Sequence, residues 1–187
     1  APAWLTTMYL DLGDQAQAER WLAQAIRAEA DQAVPKLVSC KVALLAGRPA
    51  LAIEHAKDAL EMFPKIPAML QVLRDVDLRK GKYAQARARY ARPYPELLEA
   101  VPRVNSSNVA AAIDLTLVLK MSGDDAGATR LLALSEAAIQ DMPRLSTNGF
   151  GIADVYIYAL RGEKRKALLA WQTAVRAGWH GPWPFWR

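Results

Sequence analysis

The sequence predicts an all-α fold made of about five antiparallel helix pairs stacked in a row. The first observation is a glycine-centred turn that recurs after 34, 34, 42 and 39 residues, at Gly13, Gly47, Gly81, Gly123 and Gly162. The second is a set of alanines that stand in a fixed phase with these glycines. The third is a hydrophobic share of 52% in 187 residues, which suffices for a core and excludes a disordered chain.

Each recurring glycine is expected to end one helix in the left-handed conformation, so that a second helix begins just beyond it. Five residues after the glycines stand Ala18, Ala52, Ala86, Ala128 and Ala167. Twelve residues after them stand Ala25, Ala59, Pro93, Ser135 and Ala174, and nine residues after them stand Leu22, Ala56, Tyr90, Leu132 and Trp171. Because seven residues make nearly two turns, both alanine rows lie on one helix face, where small side chains let a partner helix approach.

The helix pairs are predicted at residues 3–12 with 14–31, 34–46 with 49–63, 67–80 with 82–92, 107–122 with 124–141, and 150–161 with 163–178. Residues 1–92 form a regular array of three pairs, and residues 107–178 form a looser array of two. Prolines break the period in residues 93–106, which are expected to be an irregular insertion. Residues 179–187 form an aromatic C-terminal cap, whose Trp183, Phe185 and Trp186 fold over the last pair; the alternative is an extended segment that docks on a partner.

The repeat resembles the tetratricopeptide repeat (TPR) family. Residues at the family's offsets include Gly47, Ala52, Ala59 and Pro64 in the second repeat, and Gly81, Tyr83, Ala86 and Tyr90 in the third. Tyr9 and Tyr158 match the family's aromatic position before the glycine, while Ser135, Arg74 and Val155 depart from its small-residue positions. The resemblance implies an α–α superhelix that binds a protein partner on a concave face lined by the first helix of each pair.

The C-terminal end resembles a narrower group. A helix that closes with Ala177-Gly178-Trp179 and continues into aromatic residues is similar to the end of TPR regions in bacterial winged-helix regulators and adenylate-cyclase-like signalling proteins. This likeness implies that the chain is the regulatory or scaffold part of a larger bacterial signalling or transcription protein.

The family's ligand-facing positions, carried onto this sequence, give a set of partner-binding residues: Lys41, Leu44, Gln71, Asp75, Arg79, Lys120 and Tyr156. The same positions also include Leu37, Leu45, Leu78, Ile113, Leu117, Met121 and Ile152. Leu37 and Lys41 stand where the family's chaperone-tail clamp would need Lys and Asn, which disfavours a chaperone-tail receptor. A peptide or helix of another protein is the expected partner. The alternative is that this face packs against other parts of a parent protein or a neighbouring subunit in a homo-oligomer.

Charge is uneven along the chain and allows a second interpretation. Residues 74–103 carry a net charge of +4 and residues 161–187 one of +5, whereas residues 104–160 carry −3. Lys82, Arg89 and Arg92 share one side of the predicted helix 82–92, so stripes in 79–92 and 161–176 could bind nucleic acid or an anionic surface. A solvated basic face is the favoured interpretation, because no known nucleic-acid-binding module is recognisable.

Patterns typical of enzymes are missing from the sequence, so we expect no catalysis, cofactor or metal. His55 and His180 lie far apart, and no phosphate-binding loop or nucleophile elbow occurs. The single cysteine, Cys40, stands at a small-residue packing position, which favours a buried, inert thiol over a nucleophile. No membrane span is expected, because Asp114 interrupts the best apolar run, residues 109–119.

Overall fold

The computed structural model describes residues 2–29, 32–140, 142–143 and 151–179. Over these residues the chain is all-helical, with no β-strand, which confirms the all-α part of the predicted fold class. The α-helices are α1 (Pro2–Asp11), α2 (Gln15–Ala28), α3 (Ala33–Leu45), α4 (Pro49–Met62), α5 (Pro67–Arg79), α6 (Tyr83–Ala88), α7 (Val109–Met121), α8 (Asp125–Ile139), α9 (Gly151–Arg161) and α10 (Lys164–Arg176). None of them is both long enough and apolar enough to cross a membrane.

The predicted glycine turns are confirmed at all five positions. Each glycine has a φ between +66° and +83°, a region that only glycine enters without strain. The N–H of Gly13 bonds the carbonyl of Leu10 at 3.0 Å, and the N–H of the next residue, Asp14, bonds that of Tyr9 at 2.9 Å. The same two bonds recur at the other four turns and once more at Gly178. These paired bonds satisfy the last carbonyls of a helix and define a Schellman motif.

Two of the helices that follow these turns have a side-chain cap. Oδ1 of Asp14 accepts a hydrogen bond from the N–H of Gln17 at 3.0 Å, and Oδ1 of Asp124 accepts one from the N–H of Gly127 at 2.9 Å. Both carboxylates thus satisfy an N–H group that has no partner within its helix.

The alanine rows face the interior, as predicted. Every alanine five residues after a glycine is buried, and so are Ala25, Ala59 and Ala174, together with Pro93 and Ser135 at the equivalent positions. The buried hydroxyl of Ser135 keeps a hydrogen-bond partner, because it donates to the carbonyl of Leu131 at 2.8 Å. The larger residues beside the rows are at least half-buried except Trp171, which is exposed.

The chain divides into two compact units, with the division after Val76, inside α5. In the first unit α1 packs with α2 and α3 with α4, while α3 also contacts both α1 and α2. One core cluster there centres on Ala18, Ala25 and Val38, and another joins Cys40 to Ala52 and to part of α5. The predicted boundaries at residues 92/93 and 106/107 stay predictions.

In the second unit, α7 packs with α8 and α9 with α10, while α9 also contacts both α7 and α8. Its core cluster includes Ile113, Leu132 and Ile157, one from each of the three helices α7, α8 and α9. Of the predicted aromatic cap only Trp179 belongs to the described residues; Trp183, Phe185, Trp186 and His180 lie outside them.

The third pair is shorter than predicted, because α6 ends at Ala88 rather than at residue 92. The chain then turns and forms one 3₁₀ turn at Pro95–Leu97. The predicted insertion is held by the buried Asn108. Its Nδ2 donates to Oε1 of Glu96 at 2.9 Å and to the carbonyl of Arg103 at 3.0 Å, and its Oδ1 accepts from the N–H of Asn105 at 2.8 Å.

Candidate functional site

The predicted partner-binding residues are distributed over both units. The first unit carries Lys41, Leu44, Gln71 and Asp75, and the second carries Arg79, Lys120 and Tyr156. All seven side chains keep at least partial exposure. Two residues of the wider family set do not: Leu78 and Ile113 are buried, so they cannot contact a ligand. Burial assigns them to the core, because apolar side chains on the inner face of a helix are withdrawn from solvent.

Lys41 on α3 is the main charged group of the first unit's set. Its side chain is half-buried, and this burial lowers its pKa, while the nearby Asp11 carboxylate at the end of α1 acts in the opposite direction. Leu44, one turn further on, packs partly against the cluster around Cys40 and stays half-exposed. The two residues therefore present a poorly hydrated cation beside apolar surface.

Asp75 on α5 adds a negative charge to the first unit. Its Oδ1 accepts from Nε of Arg74 at 3.0 Å and lies 2.8 Å from Nη2 of the same side chain. The Arg74 side chain is mostly buried and holds the carboxylate in place, while Asp75 stays partly open to solvent. Arg74 is the residue that departs from the family's small-residue position, and this ion pair gives its side chain a role there.

Lys120 lies in a cavity of about 250 Å³ between α7, α8 and the end of α9. Its Nζ donates to the carbonyl of Leu160, one of the last carbonyls of α9. The other lining residues are Thr116, Asp125, Ala128, Thr129, Leu132, Ala133 and Arg161. Pockets for small molecules and cofactors usually measure about 300–1,000 Å³, so this cavity fits a single side chain better.

Arg161 at the rim of this cavity forms a two-bond ion pair with Glu136 of α8. Nη1 donates to Oε1 at 2.9 Å and Nη2 donates to Oε2. The hydrogen bonds from Arg161 lower the pKa of Glu136, and those to Glu136 raise the pKa of Arg161. Sequence reasoning missed Thr129 and Arg161 because the family positions lie on the first helices and end before the glycine.

The three residues of the predicted basic stripe differ in their exposure to solvent. Lys82 and Arg92 are exposed. Arg89 is mostly buried, and its Nε donates to Oδ2 of Asp77, whose carboxylate is also buried. Because this pair neutralises the guanidinium, Arg89 contributes little to a surface potential. Nearby, a guanidinium nitrogen of Arg87 lies 3.9 Å from Oδ2 of Asp124.

The second basic zone is the start of α10, where Lys164, Arg165 and Lys166 are consecutive and exposed. Positive charges are unfavourable at a helix N-terminus, because the helix dipole is itself positive there. Glu163 offsets part of this charge through an ion pair with Lys166, whose Nζ also lies 5.7 Å from the centre of the Tyr158 ring.

The candidate reactive groups from the sequence are placed unfavourably for chemistry. Cys40 is buried, its Sγ lies 3.4 Å from the carbonyl oxygen of Ala52, and burial raises its pKa to about 12. The expected burial of this thiol is therefore confirmed, and the raised pKa disfavours the thiolate that a nucleophile needs. Burial lowers the pKa of the half-buried His55, which is neutral at pH 7. Among the described residues no three His, Cys, Asp or Glu are grouped to hold a metal ion.

A comparison of the sequence with known proteins finds no matching family model and no matching curated protein.

Proposed function

We propose that this chain is a non-catalytic protein-interaction module of the TPR type, which holds a peptide or helix of another protein on its concave face. In this proposal the stacked helix pairs form an α–α superhelix, and the chain is the regulatory or scaffold part of a larger bacterial signalling or transcription protein. The regular helix pairs and their five identical glycine turns support a repeat array.

The observation that carries the proposal is a row of partly exposed residues at one repeat position. Six residues before the five glycines stand Thr7, Lys41, Asp75, Leu117 and Tyr156, and every one of them is half-buried. In α3 and α7 the residues on either side of the row are buried, so that Cys40 and Val42 flank Lys41. Each first helix therefore offers a partly exposed side chain at this repeat position, and in α3 and α7 that side chain stands between buried neighbours.

The chemistry of this row suits a peptide ligand. It supplies a cation at Lys41, an anion at Asp75, an apolar group at Leu117 and an aromatic ring at Tyr156, whose ring packs against the core of its unit. Aromatic residues that are anchored in this way lose little conformational freedom when a ligand binds, and they are enriched at protein interfaces.

The test is affinity capture from a lysate treated with nuclease, followed by binding measurements with the partner that is captured and identified. The binding variant combines Lys41→Met, Asp75→Asn and Tyr156→Ala, which remove charge and aromatic contact without reversing any charge. The control variant combines Lys57→Met and Asp58→Asn, two exposed residues of the second helix α4. We expect the binding variant to lose at least about tenfold in affinity and the control to lose none.

An equal affinity of the binding variant and the wild-type chain, with unchanged helical circular dichroism in both, would overturn the site assignment. Capture that disappears on nuclease treatment would contradict the proposal as a whole.

The second candidate function is binding to nucleic acid or to another anionic surface. The exposed Lys164-Arg165-Lys166 sequence at the start of α10 favours it, because three consecutive exposed cations supply the clustered positive charge that phosphate groups bind. The test is the salt dependence of binding to a double-stranded DNA of mixed sequence. Phosphate contacts predict a steep loss of affinity with salt, which the changes Lys164→Gln and Arg165→Gln would flatten, whereas Lys82→Gln with Arg92→Gln tests the other stripe.

A further inference from the structure

The first helix exposes an apolar row on one side. Trp4 and Met8 lie one turn apart on α1, and Leu12 follows after one further turn. These three side chains are 69%, 59% and 76% exposed. Because residues four apart stand above one another on a helix, the three side chains form one stripe.

The same repeat positions are covered in every later first helix. Trp4 stands nine residues before its glycine, and the residues at that position in the other repeats, all buried, are Val38, Val72, Asp114 and Ala153. Met8 stands five residues before its glycine. Its equivalents are Val42, Val118 and Ile157, which are buried, and Val76, which is half-buried. Trp4 and Met8 thus occupy positions that the other first helices cover, whereas the position of Leu12, one residue before the glycine, is buried in none of the later repeats.

The residues that cover this face stand nine residues after the preceding glycine, on the second helix of the preceding pair or, for Tyr90, in the turn that follows it. The most direct case is Tyr90, which stands at that position and donates a hydrogen bond to Asp114 of α7. Leu22 shares a core cluster with Val38, and Leu132 shares one with Ala153. Ala56 and Val72 belong together to a further cluster. The residue that stands nine positions after one glycine therefore packs near the residue that stands nine positions before the next glycine.

The last helix among the described residues, α10, carries an exposed residue at the covering position. This residue is Trp171, which is 48% exposed, and Leu168 and Val175 extend the exposed apolar surface by one turn in each direction. The two ends also differ in charge. Residues 2–29 carry a net charge of −2, whereas residues 161–179 carry +4. The exposed apolar faces of α1 and α10 are thus complementary in both repeat position and charge.

We propose that two copies of this chain associate head to tail, with the α1 stripe of one copy packed on the exposed face of α10 of the next. Trp4 then lies against Trp171, at the two positions that pack near each other between successive pairs within the chain. Because the two faces are different, the contact is heterologous, so each added copy presents a free face to the next one and association does not stop at a two-fold dimer. This inference does not depend on the proposed ligand of the concave face.

The experiment measures the mass of the purified, nuclease-treated chain by sedimentation velocity over a wide range of concentration. We expect the weight-average mass to rise continuously above 20.6 kDa, the mass of one chain. The variants Trp4→Glu and Trp171→Glu each change an exposed side chain, so both should stay folded. Each should shift association to concentrations at least about tenfold higher, because an aromatic contact at the centre of an interface is lost.

Mixing the two variants distinguishes a head-to-tail contact from a symmetrical one. Trp4→Glu retains an intact α10 face and Trp171→Glu retains an intact α1 face, so an equimolar mixture should form dimers and nothing larger. The matched controls are Met62→Glu and Val101→Glu, which alter exposed apolar residues outside both faces and should associate like the wild-type chain.

A wild-type chain that keeps the mass of one copy at every concentration would overturn the inference. Dimers that persist in a solution of Trp171→Glu without any other variant would also overturn it, because they would indicate a contact between two α1 helices. Equal effects of the control variants would show that added charge, and not the loss of these two faces, causes the change.

Discussion

The hydroxyl of Tyr90 donates a hydrogen bond to Oδ2 of Asp114, and both side chains are buried. Asp114 is the one charged residue in the apolar run of residues 109–119 and lies in the middle of α7. Buried carboxylates need donors, because their transfer from water is costly unless hydrogen bonds replace the lost hydration. The pair therefore fixes the turn after α6 against α7 and orients the helix that carries Lys120.

Replacing Tyr90 with Phe should destabilise the second unit by about 1–3 kcal/mol, because a buried carboxylate loses a donor while the ring keeps its packing. The measurement is urea unfolding followed by circular dichroism. Tyr83→Phe, a change at a half-buried tyrosine on α6, serves as the control and should cost less than the Tyr90 change. Equal losses in the two variants would mean that the Tyr90 hydrogen bond contributes little.

Replacing Arg89 with Gln should lower the free energy of unfolding by about 2 kcal/mol, since it leaves the buried Asp77 carboxylate without its charged partner. Arg92→Gln changes an exposed guanidinium three residues further along the chain and should cost under about 0.5 kcal/mol. Thermal or urea unfolding compares the two variants directly. A destabilisation by Arg92→Gln as large as that by Arg89→Gln would contradict the assignment of Arg89 to the interior.

The ion pair between Arg161 and Glu136 should give a stability difference that depends on pH. Because the folded state lowers the pKa of Glu136 below its ordinary value of 4.5, the carboxylate adds stability above that pH, and this contribution is lost as the pH falls through the folded-state pKa. Arg161→Gln should therefore cost a few tenths to about 1 kcal/mol at pH 7, reduced by solvent exposure, and much less at low pH.

Urea unfolding of the wild-type chain and of Arg161→Gln at pH 7 and at pH 3 measures this difference. High salt should also reduce it at pH 7, because salt screens an exposed ion pair. If the free energy of unfolding differs between the wild-type chain and Arg161→Gln by the same amount at both pH values, the loss comes from packing of the arginine side chain and not from the ion pair.

Replacing Ala52 with Trp should unfold or swell the second helix pair. Ala52 is completely buried in the core cluster that it shares with Cys40, and overpacking such a contact typically costs about 1–3 kcal/mol or more. The control is Ala50→Trp, which adds the same side chain at an exposed position two residues earlier on α4. Thermal unfolding should show a lowered midpoint only for the Ala52 variant, and an unchanged midpoint would contradict the phase of the alanine row.

Local sequence patterns were sufficient to predict most of the helices. A glycine with positive φ and the two hydrogen bonds around it involve only six consecutive residues, so the turn at Gly47 follows from its own neighbourhood. The burial of Ala18 and Ala52 also follows from helical periodicity, which depends on spacing alone. The end of α6 was misplaced because it depends on partners distant in sequence: Arg89 bonds Asp77, and Tyr90 bonds Asp114, 24 residues further on.

The candidate site was predictable in part. The set of ligand-facing positions taken from the family resemblance includes Lys41, Asp75 and Tyr156, which are all partly open to solvent. It gave the same role to Leu78 and Ile113, which are buried, because the depth of a position also depends on what packs over it. It did not find the cavity at Lys120, whose walls come from three helices.

The sequence by itself determined the helix class, the pairing of helices around glycine turns and the inward face of each second helix, because these depend on residues within one or two turns. Only the tertiary structure decided which charges are neutralised, as Arg89 is by Asp77, and which apolar faces stay uncovered, as those of Trp4 and Trp171 do. The physical reason is that burial and ion pairing depend on distances between segments that no local pattern specifies.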